Sequence, residues 1–329
     1  MNSKSTTQPI VRSPNEIIHC EDAASFRENY NRASFMFSHN LAGHPLFEIP
    51  RLITLANTLA ETGVKYRVTS LDSNVPTHVK WSDMKLNEQV AEAIEHISEA
   101  GSLVIIKSVN LDPEYNTLMQ QILTEIEQLT GIPLRQEITW AEAYIFISSP
   151  HSVTPYHIDH EANFLFQIHG EKEMHLFDPF DREILPEQEI EKYFGGDLQA
   201  ANYKQEYQSR ANVYQLTSGK AVHHPSLAPH WVKNGDDYSV SLSINFCVRP
   251  VDLKARIYQV NHFLRKLGLK PTPAGQSSIK DRAKMSLMGM FTKHQPSTKD
   301  DVVFSGINRI KFPIQALRRL KQLLKSRGN

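Results

Sequence analysis

The sequence predicts a mainly β fold with an α/β N-terminal extension and a helical C-terminal extension. Between Trp140 and Arg249, short apolar or alternating runs are separated by Pro, Gly, Asp and Asn, which is typical of an antiparallel barrel or sandwich. Before residue 131 and after Pro250, apolar residues recur at helical spacing instead. A chain of 329 residues has room for one large domain with extensions or for two small domains.

Composition narrows the class of protein. Lys plus Arg and Asp plus Glu are both 36, and this balance argues against a protein that binds nucleic acid or membranes over its whole surface. The two cysteines, Cys20 and Cys247, cannot build a disulfide scaffold or a zinc site made of cysteines. The start of the chain has no apolar stretch of signal-peptide type, and no run approaches the ~20 apolar residues that span a bilayer. We therefore expect a cytoplasmic protein without a transmembrane segment.

Patterning divides the chain into four segments, which are a mobile polar arm (1–15), a mixed α/β extension (16–100), a barrel (101–250) and a helical, basic extension (251–329). Helical spacing before residue 131 predicts helices over 49–62, 87–100 and 113–130, with a buried strand over 102–107. The polar stretch 186–208 interrupts the barrel and offers a lid or substrate loop. After the barrel, helical spacing returns over 253–267 and 312–324. The last of these helices has a basic face and could form a homodimer contact, dock on the body or touch an anionic surface.

The pair His157 and Asp159 is the first candidate for chemistry. The two residues are two positions apart, and alternate residues of a β-strand point to the same face. One imidazole and one carboxylate would then converge on one point. A third ligand from another strand would complete a 2-His-1-carboxylate facial triad for iron(II). The H-x-D spacing alone often arises by chance, so a second histidine has to support it.

Three histidines could supply the third ligand. His230 follows a proline at the start of a predicted strand, where its side chain could point into a barrel. His223 and His224 are adjacent, so by alternation only one of them can face inward. A single histidine in such a stretch is more often a surface or hydrogen-bonded core residue. The residues alone leave the choice open.

The string TPYHIDHEANFLFQIHGEKEMHLFDP, residues 154–179, resembles the metal-binding core of the JmjC/cupin-like 2-oxoglutarate-dependent oxygenases. The pattern is most similar to the branch that contains the asparaginyl hydroxylase acting on hypoxia-inducible factor. The resemblance covers roughly Ala143–Pro250, and FSHNLAGHPLF (37–47) further suggests a bacterial subgroup of cupin-like proteins. It implies that the barrel is a double-stranded β-helix, which is a jelly-roll or cupin barrel.

The resemblance also implies a role for each matched residue. The metal ligands would be His157, Asp159 and His230. His230 is preferred over His224 because Asn245 then falls at the spacing of this branch. The 2-oxoglutarate contacts would be Thr154, Asn163, Lys172, Asn245 and the apolar Phe146. Cys247 stands where that branch has tryptophan, so we expect a smaller or rearranged pocket wall. No protein general base is required, and none is assigned.

The predicted role of Lys172 also has a direct physical reason. One carboxylate of 2-oxoglutarate and its keto oxygen can chelate iron(II), which leaves the other carboxylate inside the barrel. Burying that carboxylate unpaired would cost several kcal/mol. Lys172 would pair with it if its side chain points inward, with Glu171 and Glu173 on the opposite face. The alternative is an edge lysine that points to water.

The resemblance implies an oxygenase that uses iron(II), 2-oxoglutarate and O2. Its reaction would be hydroxylation of a C–H bond in a peptide or protein side chain or in a small metabolite, and demethylation is accessible to the same site. One alternative is a non-catalytic cupin-type sensor or regulator that binds a metal or ligand, although a sensor has no reason to keep Lys172 and Asn245. Another is a histidine-rich isomerase or dioxygenase without 2-oxoglutarate, which the H-x-D pair disfavours. We expect no direct DNA binding.

Overall fold

The computed structural model describes residues 16–64, 67–87 and 89–310. The arm 1–15 and the basic helix 312–324 lie outside these residues. The strands of the described part are β1 (Ile18–His19), β2 (Phe35–His39), β3 (Val68–Asp72), β4 (Leu86–Asn87), β5 (Ser102–Ile106), β6 (Ile138–Ser148), β7 (Val153–His157), β8 (Ala162–His169), β9 (Lys172–Leu176), β10 (Asn212–Leu216), β11 (Lys220–His224), β12 (His230–Asn234) and β13 (Ser239–Val248).

Two antiparallel sheets form the barrel. The larger sheet has the order β1-β2-β11-β8-β13-β6-β5-β3-β4, and the smaller has the order β10-β9-β12-β7. From β6 to β13 the chain passes repeatedly between the two sheets, so that four strands of the barrel lie in each. This topology is the predicted double-stranded β-helix, and the mainly β fold class is confirmed. The inner faces of the two sheets enclose a small apolar cluster that includes Leu165, Met174 and Val232.

The residues before β6, which are the predicted extension 16–100 and the first part of the predicted barrel segment 101–250, add strands to the larger sheet. β1 and β2 extend it beyond β11, and β5, β3 and β4 extend it beyond β6. The helices of this region are α1 (Ala23–Asn29), α2 (Ile49–Ala60), α3 (Val90–Glu95), α4 (Pro113–Thr130) and α5 (Leu134–Glu137), with short 3-10 helices at Pro45–Phe47, Trp81–Asp83 and Val109–Leu111. Residues of α1, α2 and α4 pack with the outer face of the larger sheet in one apolar core.

Local sequence features explain where α4 begins and ends and why α3 is short. Asp112 accepts a hydrogen bond from the Glu114 N–H, Pro113 occupies the first turn, and Gly131 ends α4 with a positive φ of 68°. The predicted helix 87–100 is shorter than expected, since α3 covers only Val90–Glu95. The chain turns before β5 instead, with Gly101 at a φ of 57°, a conformation that favours glycine.

The insertion and the C-terminal extension cover one end of the barrel. The insertion forms α6 (Glu187–Phe194) and a 3-10 helix (Gln205–Arg210). The C-terminal extension forms α7 (Arg249–Lys266), α8 (Ser278–Gly289) and a helix over 299–310, which is named α9 here. α6, α7 and α9 share an apolar cluster with Trp140, Tyr156 and Cys247 at the ends of the barrel strands. In the described residues, every helix is too short or too polar to cross a bilayer. The homodimer contact stays a prediction, because its basic helix lies outside this region.

Candidate metal centre

His157, Asp159 and His230 meet at the covered end of the barrel. His157 is the last residue of β7 and lies opposite His230, the first residue of β12. One nitrogen or oxygen atom from each of the three side chains lies within 4.8 Å of the others. The two imidazole rings are 4.1 Å apart between centroids. The structure therefore brings together two nitrogen donors and one carboxylate.

Backbone carbonyls orient both imidazoles. The carbonyl oxygen of Pro155 lies 2.7 Å from Nδ1 of His157, and that of Ala228 lies 3.0 Å from Nδ1 of His230. A carbonyl can only accept, so Nδ1 of each ring carries a proton and Nε2 is the ring atom that can bind a metal. Burial, together with nearby His157, lowers the pKa of His230 to about 3. For His230 the neutral imidazole that metals require is thus the stable form.

The adjacent histidines of β11 point to opposite faces of the larger sheet. His223 stacks on Phe164, 4.4 Å between ring centroids, and contacts Tyr30 on the outer face. His224 faces inward, with its ring 4.6 Å from that of His230. His230, rather than His224, belongs to the three-residue donor group. His224 is therefore a neighbour of the candidate centre.

Lys172 lies on the same inner face as His230, at the other end of the smaller sheet. It pairs with Asn234 of β12, four residues from His230 and therefore ~13 Å along the strand. Only 5% of Lys172 is exposed, and no ion pair joins it to a carboxylate of the described residues, although Glu171, Glu173 and Asp236 line the same surface depression. Burial lowers the pKa of Lys172 to about 7. A buried ammonium without an acidic partner is suited to receive an anion from outside the chain.

A register irregularity places Thr154 on the inner face as well. His157 lies opposite His230, but Thr154, three residues earlier, lies opposite Val232, because the pairing shifts between them. Because of this bulge, the side chains of Thr154 and His157 lie on the same side of the strand although the two residues are three positions apart. Phe146 of β6 also belongs to the inner face, since it lies opposite Ser241 and packs on the apolar cluster.

Asn163 and Asn245 form a buried amide pair on the larger sheet. They lie opposite each other on β8 and β13. Nδ2 of Asn163 donates to Oδ1 of Asn245 and to Oγ of Ser243, 2.5 Å away. Oδ1 of Asn163 is buried and accepts no hydrogen bond from the described residues. The pair thus keeps one unused polar atom at the inner face.

Sequence reasoning missed two contacts to the centre, which come from distant segments. Nζ of Lys299, at the start of α9, donates to Oδ1 of Asp159 at 2.5 Å and to Oε1 of Glu161 at 3.1 Å. Trp81 packs edge to face against His157, 5.4 Å between centroids. Both residues stand in polar segments without apolar periodicity, so no local pattern distinguished them.

Lys299 changes the charge state of the centre. Burial opposes its ammonium, but attraction to Asp159 and Glu161 outweighs burial and raises the pKa of Lys299 well above its usual value. Burial likewise favours the neutral acid of Asp159, yet Lys299 and His157 hold its pKa well below the usual range. Asp159 is therefore ionised, as a metal-ligating carboxylate has to be.

The chain is similar to known proteins in sequence family and in fold. Residues 60–250 match the family model described as a cupin-like domain. A crystal structure titled ycfD from Escherichia coli has a TM-score of 0.50 and 12% identity, and the match covers 85% of this chain and 75% of that one. The ribosomal oxygenase YcfD of Escherichia coli matches with a TM-score of 0.46 and 13% identity, covering 86% and 74%. Its complex with cobalt and 2-oxoglutarate matches with a TM-score of 0.44 and 14% identity, covering 82% and 67%.

No curated protein matches the chain significantly in sequence. At 12% identity, the likeness to the first solved structure shows the fold alone. The family match is more informative because it spans more than half of the chain and includes the barrel strands that position His157, Asp159 and His230. The chain therefore belongs to the cupin-like domain family, of the JmjC-like type predicted from residues 154–179.

Proposed function

We propose that the protein is an iron(II)- and 2-oxoglutarate-dependent oxygenase that hydroxylates a C–H bond in a peptide or protein side chain or in a small metabolite. One observation carries the proposal. The inner face of the smaller sheet has an imidazole pair with a carboxylate at one end and a buried, unpaired ammonium, Lys172, at the other. A keto diacid needs both features, since it chelates a metal at one end and carries a second charge at the other.

The residues at the centre fit iron(II). Two neutral imidazole nitrogens and one ionised carboxylate are the donor set of the facial triad, and His157, Asp159 and His230 would supply it. Bound iron(II), with 2-oxoglutarate and O2, supplies C–H oxidation coupled to loss of CO2 and formation of succinate.

The chain itself positions the cosubstrate and excludes water. The Lys172 ammonium would pair with the distal carboxylate, and the Thr154 hydroxyl on the same face would donate to it. The amide pair Asn163–Asn245 would orient the end near the metal, where Asn163 has an unused polar atom. Phe146 and the apolar cluster of the inner faces would exclude water from the region between the two ends. A sensor that binds only a metal would have no use for a buried lysine at this distance.

Succinate release tests the function. Protein loaded with iron(II) is expected to convert 2-oxoglutarate to succinate slowly alone and faster with a substrate, whether a peptide or a small molecule. The measurement is succinate formed with iron(II) and without it, with O2 and without it. If protein that holds iron(II) shows no iron-dependent turnover with any candidate, the oxygenase proposal is wrong.

The affinity for 2-oxoglutarate is expected to fall as pH rises through the pKa of Lys172. Burial lowers that pKa to about 7, so the ammonium that binds the dianion exists below this pH and disappears above it. The Kd for 2-oxoglutarate should rise roughly tenfold per pH unit above the pKa, or about 50-fold from pH 7 to pH 9. Anaerobic calorimetric titration of the iron(II) protein measures this change.

Two variants serve as controls for this pH dependence. Lys172→Arg keeps its charge throughout, so its Kd should stay nearly constant with pH. Lys172→Ala should lose tenfold or more in affinity at pH 7, as expected for a lost charged hydrogen bond, and should still hold iron(II). Lys172 itself lines a surface depression of about 200 Å³ together with the charged residues Glu171, Glu173, Lys233 and Asp236. Equal affinity in Lys172→Ala would remove the assigned role of Lys172.

A further inference from the structure

A second cluster of donor side chains lies beside the candidate metal centre. It combines His160, which follows β7, Cys247 of β13 and Asp252 in the first turn of α7. One donor atom from each lies within 4.8 Å of the others. The three residues are 0%, 1% and 8% exposed. None of them takes part in the proposed oxygenase chemistry.

Polar atoms of this cluster are buried without partners. Within the described part of the chain, both ring nitrogens of His160 and Oδ1 of Asp252 form no hydrogen bond, and neither does the indole nitrogen of Trp140 beside them. Buried polar groups are almost always hydrogen-bonded, so several buried polar atoms without a hydrogen-bond partner in one place require an explanation. A metal ion, which accepts lone pairs, would satisfy one ring nitrogen of His160 and Oδ1 of Asp252 together.

The arrangement around His160 is the one found at metal-bound imidazoles. Nε2 lies 3.9 Å from Oδ1 of Asp252, and a small side-chain rotation would bring the two atoms to the separation of about 3.3 Å at which a tetrahedral ion holds two ligands. Nδ1, on the other side of the ring, lies 3.3 Å from Oε2 of Glu161. Metal ligands of this type commonly turn their second ring nitrogen to a carboxylate. Thr139 donates to Oδ2 of Asp252 and leaves Oδ1 free.

We propose that His160, Cys247 and Asp252 bind a second divalent metal ion of the zinc class. Sulfur, imidazole and carboxylate together are a donor set that zinc accepts. A thiolate and a carboxylate neutralise the two positive charges of the ion, so a neutral unit is buried. Glu161 is separately compensated by Lys299, 3.1 Å away.

The place of the cluster indicates a structural role for this ion. Its ligands come from the segment after β7, from β13 and from α7, so the ion would join the helix that covers the barrel to two elements of the barrel itself. Asp159, a residue of the first centre, immediately precedes His160. The second ion would therefore also hold the segment that carries Asp159.

Cobalt(II) distinguishes the two centres because only the second one contains sulfur. Wild-type protein loaded with cobalt(II) is expected to bind two ions per chain and to show a thiolate-to-cobalt absorption band in the near ultraviolet. His157→Ala should lose one ion and keep the band. Cys247→Ser should lose the band and keep the other ion, while Cys20→Ser, at the other cysteine of the chain, should change neither.

The wild-type spectrum decides the proposal even if a variant fails to fold. Two ions per chain with the sulfur band support the second centre. One ion per chain without the band overturns it, as does a band that disappears in Cys20→Ser. As a second measurement, zinc(II) should raise the Tm of His157→Ala, in which the first centre is disabled, and an unchanged Tm would contradict the proposal. Neither measurement depends on oxygenase activity, so this proposal and the oxygenase function can fail separately.

Discussion

His157→Ala is expected to abolish stoichiometric iron(II) binding and, with it, succinate formation from 2-oxoglutarate. The variant removes one of three donors and leaves His230 and Asp159 as a two-residue site. Loss of a residue that merely orients a ligand costs 10- to 100-fold in metal affinity, so loss of a ligand should cost about 100-fold or more. Competition titration with a chromogenic chelator measures the affinity, and succinate release measures the turnover.

His169→Ala is the matched control for this loss. Its side chain is 45% exposed and faces Asp237 at the end of β8, so removing this imidazole should leave iron binding and turnover unchanged. Circular dichroism of both variants reports whether the barrel is intact. If folded His157→Ala binds iron(II) as tightly as the wild-type protein does, His157 is not a ligand and the centre has to be reassigned.

Local patterns were sufficient to predict the barrel and much of the centre. The flanking of Lys172 by two glutamates depends on the two-residue period of a strand, which any single segment displays. The observed inner position of Lys172 agrees with that alternation. The same period was expected for His157 and Asp159, but β7 ends at His157, so Asp159 reaches the centre from the segment after the strand. The resemblance of residues 154–179 to JmjC-like proteins, which the family match confirms, depends on the same short stretch.

Other features depend on pairings that no single segment encodes. Thr154 and His157 are three residues apart, so alternation alone would place them on opposite faces, and only the shifted pairing with β12 brings them together. Of β1 to β5 the sequence predicted only β5, and the addition of these strands to both edges of the larger sheet follows from contacts between distant parts of the chain. The long-range ion pair of Lys299 was equally invisible, because its partners lie 140 and 138 residues away.

Lys299→Met is expected to loosen the attachment of α9 to the barrel. The ammonium pairs with Asp159 and Glu161, whose side chains are 25% and 3% exposed. Removing one member of a buried ion pair costs 3 to 5 kcal/mol, because it leaves uncompensated charge. Since the Lys299 side chain is 20% exposed, we expect about 3 kcal/mol, or roughly a hundredfold faster amide exchange over 299–310. Hydrogen exchange with mass spectrometric detection measures this change locally.

Lys293→Met provides the comparison for Lys299→Met. Lys293 precedes the same helix and pairs with Asp301, but its side chain is 46% exposed, so its loss should change the opening free energy by less than about 1 kcal/mol. Burial raises the pKa of Glu161 to about 7 even beside Lys299, so Glu161 is neutral in Lys299→Met and adding Glu161→Gln should change the protection little. Iron(II) should restore part of the protection, because a cation at Asp159 compensates the remaining charge. If Lys299→Met and Lys293→Met exchange alike, the ion pair does not hold α9, and the apolar contacts of Val302 and Val303 carry its attachment.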